Sequence, residues 1–176
     1  PRAAAAAAAA GDTGRVHPDT YTPNETNTLT ESIRSTAPEG ATIRSEQSGS
    51  DGSTTAADDT SPVFDIPVKS AAAPVIEGFT VYNRTVLETY YAEGAFVLRD
   101  LTVRDASVAV DATHAESDWL LDGVTVVTDG AAVVARDTTG AWAVQNSTIR
   151  LASDDRFSSE TGIDASRSTG PWTVQN

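Results

Sequence analysis

The sequence predicts an all-β solenoid, a chain wound into short coils whose parallel strands stack on one another. Three observations predict it: a frame that recurs every 22–23 residues, period-two alternation inside each copy, and a turn residue at a constant place in the frame. The copies are Pro74–Val81, Phe96–Val103, Trp119–Val126 and Trp142–Ile149, and a fifth begins at Trp172 after a longer interval of 30 residues. A unit of this length cannot bury its own apolar face and must stack on its neighbours.

Each element follows from the frame. Positions three and eight are apolar in every copy: Ile76, Leu98, Leu121, Val144 and Val174, then Val81, Val103, Val126 and Ile149. Position one is aromatic from the second copy onward (Phe96, Trp119, Trp142, Trp172) and shares the parity of position three, so it predicts an internal aromatic stack. Position seven is always threonine (Thr80, Thr102, Thr125, Thr148). Alternation on both sides of a break reads as strand, corner, strand. The corner is position five, with Gly78, Asp100, Gly123, Asn146 and Asn176, residue types that accept positive φ. A further apolar patch follows in each coil, as in Val108-Ala109-Val110 and Ala132-Val133-Val134. A helical solenoid would need longer runs of 3.6-residue periodicity, whereas Val and Thr dominate here and Gly, Asp and Asn punctuate.

With these motifs the chain resembles the right-handed parallel β-helices of the pectin-lyase-like class. Val144-Gln145-Asn146-Ser147-Thr148-Ile149 followed by Gly162-Ile163 matches their coil pattern. Gly11-Asp12-Thr13-Gly14-Arg15-Val16-His17-Pro18-Asp19-Thr20-Tyr21 resembles their entry segment, where an alanine-rich helix leads into the first coil. The resemblance therefore implies a short helix over Ala3–Ala10. Gly14 and Asp19 depart from the family pattern, which should weaken the first coil. The implied organisation is one domain: 1–44 as N-terminal cap and first coil, 45–70 as a flexible loop insertion and 71–176 as regular coils. The residues read as part of a longer solenoid, with further coils of the same polypeptide as a partner.

The chain carries 25 acidic and 12 basic residues, for a net charge of -13. Lys69 is the only lysine. This balance argues against nucleic acid and anionic membrane as partners, and the lysine depletion points to a halophile. No apolar run is long enough to insert in a membrane. Without cysteine, thiolate sites and disulfides are excluded.

Candidate chemistry is sparse. Copper is rejected, because there is no Met or Cys and only His17 and His114, far apart in the chain. Calcium remains open: the fold's lyases hold it on carboxylates from neighbouring coils and use an arginine as base. The outward position-four column offers Glu77, Arg99 and Asp122 for that role, although such a column is first a charge ladder. Asp129, Asp137, Asp154 and Asp155 could supply a hydrolytic carboxylate pair, but nothing in the sequence selects them. Tyr82, Tyr90 and Tyr91 are the candidates for stacking on sugar rings. Asn24, Asn83 and Asn146 lie in glycosylation triplets. The expected function is that of a non-catalytic, extracellular or cell-surface domain with a carbohydrate-binding or structural role. The alternative is a polysaccharide lyase or glycoside hydrolase.

Overall fold

The computed structural model describes residues 8–22, 26–44, 61–152 and 161–176. Within these residues the chain is all-β, with strands and turns and no helix. The N-terminal region supplies β1 (Thr13–Arg15), β2 (Thr20–Tyr21), β3 (Asn27–Thr28), β4 (Arg34–Arg44) and β5 (Phe64–Ile66). Next come β6 (Val75–Tyr82), β7 (Leu87–Thr89), β8 (Phe96–Arg99), β9 (Thr102–Arg104) and β10 (Val108–Asp111). The last part holds β11 (Trp119–Asp122), β12 (Thr125–Thr128), β13 (Ala131–Val134), β14 (Trp142–Gln145), β15 (Thr148–Leu151), β16 (Thr161–Asp164) and β17 (Trp172–Gln175).

The strands form two sheets in which neighbouring strands run parallel. The larger follows the path β15-β12-β9-β6-β8-β11-β14-β17 and is extended by β4 beside β6, with β1 and β2 beside β4. The smaller runs β16-β13-β10-β7-β5-β3. The register sets each copy of the frame on the next: Phe96, Trp119, Trp142 and Trp172 are successive partners, as are Ile76, Leu98, Leu121, Val144 and Val174.

The interior is built from these ladders. Phe96, Trp119 and Trp142 are buried, and their rings stack at centroid distances of 5.6 and 4.9 Å with planes within 3°. Trp172 continues the stack at 5.3 Å but is 54 % exposed. Trp142 Nε1 donates to Ser168 Oγ, while the buried Trp119 Nε1 has no partner among the described residues. Parallel stacking is favoured because equivalent positions repeat at the strand spacing, and each contact adds about 0.5–1.5 kcal/mol beyond burial.

The corner forms where the sequence places it. Gly78, Asp100, Gly123 and Asn146 all have positive φ, between 50° and 80°. At Gly78 a Cβ would overlap the Ala37 carbonyl, so β6 turns the corner unbroken only because it carries glycine. At Gly123 a Cβ would sit 2.7 Å from Asp100 Oδ1 of the preceding repeat.

Two expectations need correction. Ala8, Ala9 and Ala10 are not helical: a turn at Ala10–Gly11 is closed by Asp12, whose amide donates to the Ala9 carbonyl and whose carboxylate accepts from the Ala9 amide. The remainder of the expected helix, through Ala7, lies outside the described residues. Of the expected loop insertion 45–70, residues 45–60 lie outside them too, but 61–70 contains β5, which pairs with β3 and β7. Val63, Phe64 and Ile66 are buried there, and apolar alternation across Phe64–Ile66 is what makes it a strand. Gly14 and Asp19 do not prevent the first strands from pairing: Gly14 sits opposite Ser35, and the Asp19 carbonyl accepts from Thr42 N.

Candidate functional site

The outward position-four column is a ladder of neutralised charge. Glu77 pairs in register with Arg99, Arg99 with Asp122, Asp122 with Gln145 and Gln145 with Gln175. Arg34 closes its upper end with a two-oxygen contact to Glu77 at 2.6 and 2.7 Å. Arg99 Nε lies 3.5 Å from Asp122 Oδ2, and Asn146 Nδ2 donates to Asp122 Oδ1 at 2.9 Å. The Arg34 guanidinium holds Glu77 below the ordinary glutamate range, and the Asn146 amide does the same for Asp122, helped by Gln145 and Arg99. Both carboxylates are thus fixed in their charged form. Glu77, Arg99 and Asp122 are brought together, but as mutually satisfied ion pairs.

The three tyrosines do not form one surface. Tyr82 ends β6 in the larger sheet, under the Arg44 guanidinium at 4.5 Å from its ring centroid. Tyr90 and Tyr91 follow β7 in the smaller sheet. Their partner is His114, which the sequence places in a polar turn. Tyr91 and His114 stack at 4.4 Å with planes 6° apart, and Tyr90 packs edge-on against both at 4.5 and 5.1 Å. Tyr91 and His114 both have positive φ, as do Lys69, Asp137 and Arg167 at the matching turns of other repeats. This second line of left-handed residues is what sets the side chains over one another. Tyr90 is 46 % exposed and remains open to solvent.

Beside this cluster runs a second charged column. Asp65, Glu88 and Asp111 are register partners on β5, β7 and β10, facing out between inward Phe64, Leu87 and Val110 on one side and inward Ile66, Thr89 and Ala112 on the other. None of the three makes an ion pair among the described residues. Asp111 accepts from the Thr113 amide and hydroxyl at 3.0 and 2.6 Å. Partial burial raises Asp65, and Glu88, though exposed, is raised by partial desolvation with reinforcement from Asp111 and Asp65. On the next rungs the column becomes Val134 and then Asp164, which Ser166 and Arg136 hold low. Sequence reasoning missed this column, although its signal is legible: an acidic residue recurs between inward residues in Phe64-Asp65-Ile66, Leu87-Glu88-Thr89 and Val110-Asp111-Ala112.

The other candidates are dispersed. Asp137 is paired with Arg167 at 2.7 Å, Asp129 is exposed in the turn after β12, and Asp154 and Asp155 lie outside the described residues. Asn24 also lies outside them, while Asn83 and Asn146 occupy left-handed corners. Asn146 is exposed, and its amide is engaged by Asp122. Among the described residues no group of three or more His, Asp or Glu side chains is arranged to hold a metal ion. No protein-family model, no curated protein and no solved structure matches this chain.

Proposed function

We propose that the chain is a right-handed parallel β-helix that works outside the cell or at its surface as a non-catalytic glycan-binding domain. Like-on-like register in both sheets supports the solenoid reading. The observation that carries the function is the smaller sheet's outer face. Exposed Tyr90, braced by the Tyr91–His114 stack, stands two residues from Glu88 on the same side of the strand. Sugar rings stack on such rings, and their hydroxyls donate to carboxylates not already engaged by cations. The test is binding to a panel of neutral and acidic polysaccharides by affinity electrophoresis, with Tyr90→Ala as the variant. Retardation by at least one polymer, reduced about tenfold in the variant, is expected for one lost stacking contact. No retardation by any polymer sinks the reading.

One observation favours an enzyme instead. Glu88 is exposed on the outer face, and partial desolvation together with the carboxylates on both adjacent rungs raises it, a direction that suits a general acid. The same panel, incubated with and without calcium, is therefore read for unsaturated product and for new reducing ends. Turnover that Glu88→Gln abolishes would establish the hydrolase reading in place of the binding one.

A further inference from the structure

The arginines are allocated unevenly. Arg15, Arg34, Arg99, Arg136 and Arg167 each pair with a carboxylate. Arg84 is buried against the carbonyls of Ser61 and Pro62. Arg44, Arg104 and Arg150 form no ion pair among the described residues, in a chain with twice as many acidic as basic side chains. These three are not scattered. The register runs Arg44, Tyr82, Arg104, Val127, Arg150 across β4, β6, β9, β12 and β15. Beside them, two residues earlier on each strand, runs an outward column of hydroxyls: Thr42, Thr80, Thr102, Thr125 and Thr148. Of the carboxylates nearest along the chain, Asp105 lies in the turn after Arg104 and forms no ion pair among the described residues, while Glu46 and Asp154 lie outside them.

The smaller sheet carries the complement, the unmatched column of Asp65, Glu88 and Asp111. Both columns come from the same repeat, so both rise by the same strand spacing of about 4.8 Å. Two such columns stay in step along their whole length, which an unrelated surface would not do. Arg104 and Arg150 stand two rungs apart, and so do Asp65 and Asp111. Tyr90 beside the carboxylates offers a ring face to a guanidinium, and the threonine hydroxyls can donate to carboxylate oxygens.

We infer that copies of this chain associate side by side, the arginine column of one docking on the Asp65–Glu88–Asp111 column of the next. The contact is heterologous, since each copy uses two different faces. It therefore grows into open chains of copies rather than closing as a dimer. Guanidinium–carboxylate pairs supply the specificity and the threonines complete their hydrogen bonding. The net charge of -13 opposes approach at low ionic strength. Association is then strongest at intermediate salt, where long-range repulsion is screened and contact pairs persist. The inference does not rest on the glycan reading, although the two would compete for the Tyr90–Glu88 face, and either can fail alone.

Sedimentation velocity over a concentration series in moderate salt tests the inference. The variants are Arg104→Glu/Arg150→Glu on one face and Glu88→Lys/Asp111→Lys on the other, with Arg104→Gln/Arg150→Gln as a milder change and circular dichroism as the check on folding. The wild type should grow beyond a dimer with concentration. Each charge-reversed variant alone should weaken association by roughly tenfold or more, and an equimolar mixture of the two should associate again, because the two intact faces are complementary and so are the two reversed ones. A wild type that stays monomeric overturns the inference, as does a mixture that does not pair or a glutamine variant that assembles like the wild type. If the wild type stays monomeric while Arg104→Glu/Arg150→Glu loses binding to dextran sulfate, the column is a polyanion site instead.

Discussion

Two columns of charge run along this molecule, and they are built on opposite principles. On the larger sheet, Glu77, Arg99 and Asp122 alternate in sign, with Arg34 and Asn146 completing the pairing. On the smaller sheet, Asp65, Glu88 and Asp111 stack like on like, with no cation in the column. Alternation stabilises parallel strands, and like charges on adjacent rungs destabilise them by a similar amount. A repeat protein can absorb such a cost because its interior ladders are strong. The alternating column is explained by the fold alone. The like-charged column is not, and a surface that costs stability is where a binding role is sought.

The largest effect expected is on the interior, which sets the scale for both columns. Trp119→Ala removes the middle of the ring stack and should cost about 3–5 kcal/mol, read as a loss of the cooperative transition in denaturant. A shift under about 1 kcal/mol would mean that the stack contributes little and that the charged columns carry a larger share of the stability.

Next is the conversion of one column into the other. Arg99→Glu would place three carboxylates in line on the larger sheet, and should cost about 1–2 kcal/mol from two lost attractions and two new repulsions. Unchanged stability would show that the alternation of Glu77, Arg99 and Asp122 is without consequence.

The reverse change is smaller and opposite in sign. Glu88→Gln should raise stability by a few tenths of a kcal/mol, since it relieves repulsion from Asp65 and Asp111. Destabilisation would mean that Glu88 has a favourable partner after all.

The smallest effect is in pH dependence, where the columns should respond in opposite directions. Glu77 and Asp122 are held low in the folded state, so their contribution is full above their unfolded values and is lost as pH falls through the folded ones. Asp65 and Glu88 are raised, so their contribution is full below their unfolded values and is lost as pH rises through the folded ones. In denaturant titrations across the carboxylate range, Glu77→Gln should flatten the loss at low pH. Glu88→Gln should flatten the loss on the high side of that range. Parallel curves for the two variants would erase the distinction between the columns.

The sequence by itself determined the frame and what it demands locally. Recurrence at 22–23 residues places Trp119 over Phe96 and Trp142 over Trp119, and residue type alone puts Gly78, Asp100, Gly123 and Asn146 at corners. These are local or periodic signals, and a repeat turns periodicity directly into contact. Position four was legible for the same reason: its parity faces out and its neighbours are one period away. Other features depended on contacts that the period does not encode. Ala8–Ala10 lead into a turn at Ala10–Gly11 rather than a helix, because Asp12 bonds Ala9 and the Ser32 carbonyl accepts from the Gly11 amide. β5 was hidden by polar neighbours before it, since a short strand is made by pairing with β3 and β7 more than by its own propensity. His114 looked solitary because its ring partners lie a full repeat earlier in the chain. Which columns stay unmatched was decided only by the tertiary structure. A charge counts as paired or free according to what stands on the adjacent rung, and side-chain reach across rungs cannot be read from residue order alone.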